Sequence, residues 1–262
     1  MAPYFMPYFT SCRRTFRLGA IAVAAALLAS VACAHDDVVP YSNGTKILTG
    51  GHSDLANTTD ELLSVFGYDF GETTLNYASD PGFNNGSAFT NLFPNVGKIP
   101  SGNLELSVFS GAYGSLHYWA GTGTASFAPV TGVEIDFAKN GFNLRVGGTT
   151  NSGSLIIAEI PTSGISAGRV HTHLESSIWT VASGAGTLTL GAPNGIYAVG
   201  ATLSSGGLSS DPIYFVFNQG MTETIHDDGI AFYSTQVVPE PSCFALLALG
   251  VAVLAFRRKR HR

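Results

Sequence analysis

Two short residue pairs in this 262-residue chain have the types and spacing to hold a metal ion: His171-Thr172-His173, and His52-Ser53-Asp54 behind Gly50-Gly51. On an extended segment, residues i and i+2 project from the same face, so each pair offers two ligand atoms on one side. Three imidazoles and one carboxylate would complete a tetrahedral zinc centre, or most of an octahedral one. His117, in Leu116-His117-Tyr118-Trp119, is a fifth candidate ligand. Zinc or another divalent cation is the cofactor such a set implies. Histidines on an edge strand also occur simply as solvated polar residues, so convergence is the deciding question. The two pairs are far apart in the chain, and only the tertiary fold can bring them together.

The elements that must position these residues read as all-β. Short runs rich in β-branched and aromatic residues recur between Gly, Ser, Asn and Pro clusters. The expected strands are Lys46–Thr49, Asn103–Phe109, Gly132–Ala138, Gly141–Val146, Ser154–Ile160, Ser176–Val181, Gly186–Leu190, Ile196–Thr202, Ile213–Asn218 and Ile230–Tyr233. Leu104, Leu106 and Val108 alternate with polar residues, as do Val133, Ile135 and Phe137. Lys139-Asn140-Gly141 predicts a tight hairpin, because Asn-Gly suits a primed turn. One short helix is expected at Thr58–Phe66, and residues 35–100 otherwise read as more loop-like than the rest of the domain. Strands at this spacing predict an antiparallel β-sandwich or jelly-roll-like domain over residues 35–237.

Charge narrows the partners of that domain. Residues 35–238 hold five basic residues (Lys46, Lys98, Lys139, Arg145 and Arg169) against 17 acidic ones, a net charge of −12. That balance excludes a nucleic-acid role, which needs clustered Lys and Arg, and suits cation binding or an extracellular matrix. Cys12, Cys33 and Cys243 all lie outside the domain, so it has no disulfide framework and no thiol chemistry. No phosphate-binding loop or His-Glu-x-x-His occurs, and no enzymatic activity is expected. Asp80-Pro81-Gly82-Phe83-Asn84-Asn85-Gly86 and His226-Asp227-Asp228-Gly229 have some character of calcium loops. They lack the full ligand ladder, and turn chemistry already accounts for them. An alternative reading is a carbohydrate module that binds exopolysaccharide, with Tyr113, Tyr118 and Trp119 as a stacking platform.

Both ends of the chain speak to destination. Arg13, Arg14 and Arg17 precede an apolar run, Leu18 to Ala34, that ends in Ala32-Cys33-Ala34. This order is that of a secretory signal, residues 1–34, with cleavage by signal peptidase expected before His35. Arg13-Arg14-Thr15-Phe16 partly matches a twin-arginine signal, so either export machinery remains open. At the far end, Pro239-Glu240-Pro241 precedes the uncharged run Cys243–Phe256 and then Arg257, Arg258, Lys259, Arg260, His261 and Arg262. Fourteen helical residues span about 21 Å, short of a ~30 Å hydrocarbon core, but snorkelling arginines can extend the reach.

These three ordered parts, residues 238–262, resemble the PEP-CTERM sorting signal of Gram-negative bacterial surface proteins. The resemblance implies transient anchoring in the inner membrane, processing by an exosortase-type membrane protease, and delivery to the cell surface or beyond. A second resemblance is spread along the domain: Gly51-His52-Ser53-Asp54, Val170-His171-Thr172-His173-Leu174, Gly195-Ile196-Tyr197-Ala198-Val199, and Leu208 to Phe217. These pieces are similar to secreted bacterial surface proteins that carry Gly-His-x-Asp and His-x-His, some of them linked to zinc limitation. That resemblance implies metal ligation by His52, Asp54, His171 and His173, with His117 as a further candidate.

Overall fold

A computed structural model describes residues 37–53, 58–60, 63–85, 98–147, 152–182 and 186–237. The N-terminal half supplies β1 (Asp37–Ser42), β2 (Ile47–Ser53), β3 (Thr58–Asp60), β4 (Val65–Phe70), β5 (Tyr77–Ala78) and β6 (Gly82–Asn84). The middle supplies β7 (Gly102–Val108), β8 (His117–Trp119), β9 (Ala128–Pro129), β10 (Val133–Lys139), β11 (Phe142–Gly147) and β12 (Gly153–Ile160). Then follow β13 (His171–His173), β14 (Glu175–Val181), β15 (Leu188–Leu190), β16 (Gly195–Ser205), β17 (Leu208–Ser209) and β18 (Ile213–Gln219). Helix α1 (Glu223–Phe232) comes next and runs into a wider turn over Tyr233–Val237.

The strands form three sheets. The first has the order β13-β6-β1-β2-β3, and the second β11-β10-β14-β15 with β5 beside β14. The third runs β12-β7-β16-β18-β4 and carries β8, β9 and β17 on β16 or its neighbours. Period-two patterning works as expected on the half-buried strands. In β7, Leu104, Leu106 and Val108 face the core while the residues between them do not. The Asn140-Gly141 hairpin joins β10 to β11 with φ of 52° and 81°, the left-handed pair a primed turn requires.

Several features depart from the sequence reading, among them the strands β1, β5 and β6 in a region expected to be loop-like. The sheets are mixed rather than antiparallel throughout, since β1 pairs with β6 and β18 with β4 in parallel. Strands β4 and β18 are remote in sequence, so their direction is set by where the chain returns and not by a hairpin. The segment 58–66, expected as a helix, instead contributes β3 and the first residues of β4. Conversely, Ile230–Tyr233, expected as a strand, belongs to α1 and its extension. Helix α1 also takes up His226-Asp227-Asp228-Gly229, which had read as a turn.

That helix exists because β18 is buried on both faces along its whole length. One face presents Phe215 and Phe217 to the main core, with Phe137 of β10 and Tyr68 of β4 around them. The other face presents Tyr214 and Val216, which would stand in water unless covered. Helix α1 covers them through His226, Gly229 and Ile230, with Tyr233 just beyond. The spacing 226, 229, 230 and 233 is helical, but two of those four residues are not apolar by type, so periodicity alone hides it.

Candidate metal centre

Strand β6 is only three residues long and lies between two strands of the first sheet. Its register places Phe83 opposite Val38 of β1 on one side and Thr172 of β13 on the other. All three point inward and are buried, with Phe83 and Val38 at 0% exposure. Thr172 donates its hydroxyl to the Ile157 carbonyl at 3.3 Å, which pins the centre of the His-x-His strand to β12. One residue away, side chains emerge on the opposite face. There the cross-strand row reads His173, Gly82, Asp37, and then position 52, which pairs with Asp37 across β1 and β2.

Gly82 makes this row a candidate site. A Cβ at that position would lie 1.8 Å from Asp37 Oδ1 and 2.9 Å from His173 Cε1. The absent side chain is therefore the space in which the Asp37 carboxylate and the His173 imidazole approach each other. Asp80, two residues before Gly82, brings a second carboxylate, with Oδ1 at 3.8 Å from His173 Nδ1. One ligand atom from each of Asp37, Asp80 and His173 lies within 4.8 Å of the others. Donors around one zinc ion are about 2.0–2.2 Å from the metal, so they stand 3–4 Å apart and small side-chain rotations suffice. One imidazole nitrogen and two carboxylates suit zinc or a similar borderline cation, with a fourth position left for water or a further side chain. Lys139 donates to the His173 carbonyl at 2.8 Å, which ties the end of β10 to the rim of the cluster.

The residues expected from sequence fall at different places. His171 shares the exposed face of β13 with His173, their rings 5.6 Å apart at an interplanar angle of 65°, but it is not one of the three converging groups. Position 52 belongs to the same row on the far side of Asp37, while the His52 side chain and Asp54 lie outside the described residues. His117 is in the third sheet, buried, with Nδ1 at 2.7 Å from the Ser115 carbonyl and its ring against Tyr113. Asp37 and Asp80 are the candidate ligands that sequence reasoning missed. In the sequence, turn chemistry already accounts for Asp80, and Asp37 carries no spacing signal toward either Asp80 or His173.

The aromatic trio does not share one open face. Trp119 is buried against Phe127 beneath α1, whereas its neighbour Tyr118 points to the other side of β8 and packs on Tyr197. Tyr118 also donates its hydroxyl to the Asn194 carbonyl at 2.9 Å. Tyr113 packs edge-on against Tyr233 and Phe232.

Comparison with known families finds a PEP-CTERM protein-sorting motif at residues 237–260. The motif spans Pro239, Glu240 and Pro241 and implies export, transit through the membrane to the cell surface, and processing by exosortase. No curated protein and no solved structure matches the chain. Among the described residues no helix is long and apolar enough to cross a membrane, and the apolar run Cys243–Phe256 lies outside them.

Proposed function

We propose that this chain is a non-catalytic, exported surface or matrix protein whose domain captures a divalent metal, zinc first, at Asp37, Asp80 and His173. The single observation that carries the metal reading is the side-chain-free position at Gly82, over which two carboxylates and one imidazole converge. Position 52 is the natural source of a fourth ligand because it continues the same row. The way Phe83, Phe137 and Phe215 bring three sheets to one aromatic core supports a β-sandwich as the scaffold. The acidic domain surface concentrates cations near the site and keeps the protein soluble outside the cell.

Zinc titration of the purified protein tests the site. Asp37→Asn and His173→Ala should each weaken binding at this site at least about tenfold, a loss of 1.4 kcal/mol or more. His171→Ala should leave it nearly unchanged, because His171 stands beside the cluster and not in it. Gly82→Ala is the sharpest variant, since its methyl must displace the Asp37 carboxylate, a mobile group, while the backbone can stay. Wild-type affinity in Gly82→Ala and His173→Ala together would remove the site.

Sorting has its own readout. Intact-mass analysis of the surface protein should show loss of residues 1–34 and of most of the chain after Pro241. Retention of Arg262 would leave a simple membrane anchor instead.

A further inference from the structure

A second cluster lies in a different part of the domain, at the junction of β4 and α1. His226 is completely buried, at 0% exposure. Its Nε2 is 3.0 Å from the Val216 carbonyl of β18. A carbonyl oxygen can only accept, so Nε2 carries the hydrogen and Nδ1 of the neutral ring carries the lone pair. Nδ1 is buried with no hydrogen bond. It faces Asp69 Oδ1 at 3.5 Å, so two electron-rich atoms meet in a dry place. Glu223 is one helical turn before His226, on the same side of α1, and offers a second carboxylate. Ligand atoms of Asp69, Glu223 and His226 all lie within 4.8 Å of one another.

The surrounding backbone makes room for this arrangement. Gly67 and Asp69 share the helix-facing side of β4. A Cβ at Gly67 would stand 3.1 Å from His226 Cε1 and 2.5 Å from Ile230 Cδ1. The glycine lets the imidazole lie directly against the strand. A ring nitrogen fixed by a hydrogen bond from its other nitrogen to a carbonyl is the usual way a metal-binding histidine is oriented.

We propose that Asp69, Glu223 and His226 form a second divalent-cation site, of the zinc class, that clamps helix α1 onto the third sheet. An imidazole ligand disfavours calcium and magnesium, which prefer oxygen alone. The ion joins strand β4 to the first turn of the helix, and α1 with its extension is the last described element before the sorting motif begins at residue 237. The clamp holds the chain leading into that motif against the domain.

The test uses the full-length protein in detergent, with Asp37→Asn included to weaken the first site and zinc held below the level that would fill it. Equilibrium dialysis against zinc should find one ion per chain in Asp37→Asn. Adding Glu223→Gln or Asp69→Asn should weaken that ion at least tenfold; Glu223 is exposed, so its isosteric variant is not expected to disturb folding. Zinc should also slow amide exchange of the peptide 223–232 in Asp37→Asn and leave it unchanged once Glu223→Gln is added. Cobalt in place of zinc should give visible absorption bands that disappear with Glu223→Gln. The clamp is overturned if Asp37→Asn binds no zinc, or if Glu223→Gln and Asp69→Asn leave both stoichiometry and helix exchange as they were. It is overturned equally if nitrogen NMR shows His226 protonated at Nδ1 with zinc present, for then an ion pair with Asp69 occupies the junction.

Discussion

Replacing Phe215 by alanine should cost about 3–5 kcal/mol of folding stability, the range for deleting a large aromatic from a close-packed core. Phe215 is fully buried and sits where all three sheets meet. Its ring is 6.0–6.4 Å from those of Phe66 and Tyr68 of β4, Phe83 of β6 and Phe137 of β10. No neighbour can collapse into the space without abandoning another sheet, which places the cost toward the upper end. A domain of this size is stable by about 5–15 kcal/mol, so the variant should lose a large share of that margin. Phe142→Ala supplies the contrast, because that ring is 71% exposed on β11 and its loss should change stability by about 0.5 kcal/mol or less. Urea unfolding of the two variants measures the difference. Equal midpoints would mean that the three sheets do not share this core.

Alkaline pH should destabilise the domain steeply. Burial pushes the hydroxyls of Tyr197, Tyr214 and Tyr233 above the ordinary tyrosine range, with Tyr118 adding to the effect at Tyr197 and Tyr113 and Tyr214 at Tyr233. Tyr77 is raised to about 12, by burial first and then by its hydrogen bond to the Glu175 carboxylate. In each case the folded value lies above the unfolded one near 10. Stability from these groups is therefore complete below about pH 10 and is lost as pH rises from there through the folded values. Tyr197 and Tyr233, if they stay neutral in the folded state, each cost up to about 1.4 kcal/mol per pH unit in that window, while Tyr77 is more open to solvent and contributes less. Unfolding free energies measured from pH 8 to 12, beside phenolate absorbance, give the slope. Tyr233 offers an internal check, because its buried hydroxyl has no hydrogen-bond partner. Tyr233→Phe should be at least as stable at pH 8 and lose less stability above pH 10. A flat profile to pH 12 would show that these hydroxyls are hydrated.

The β-rich character was legible because most strands are half-buried, and a half-buried strand must alternate. Residues 103–108 and 133–146 show this directly, with the Asn140-Gly141 turn fixing their pairing locally. The helix was not legible, since its covered face includes a histidine that fits only because Gly67 lies beneath it, and a glycine that packs on Ile196 and Val216. The parallel partners of β1 and β4 were not legible either, because no turn connects them.

By itself, the sequence determined what depends on order along the chain: a C-terminal sorting motif, an acidic cysteine-free stretch before it, and the side-by-side exposure of His171 and His173 on one strand. Only the tertiary structure decided which groups meet. His173 reaches Asp37 and Asp80 because a parallel and an antiparallel pairing put all three around Gly82. His226 reaches Asp69 because the helix must cover an apolar sheet face that the strand could not leave in water. Metal coordination acts over about 2 Å, whereas ligand spacing in sequence carries meaning only within one local element. Convergence between elements is set by sheet register and core packing.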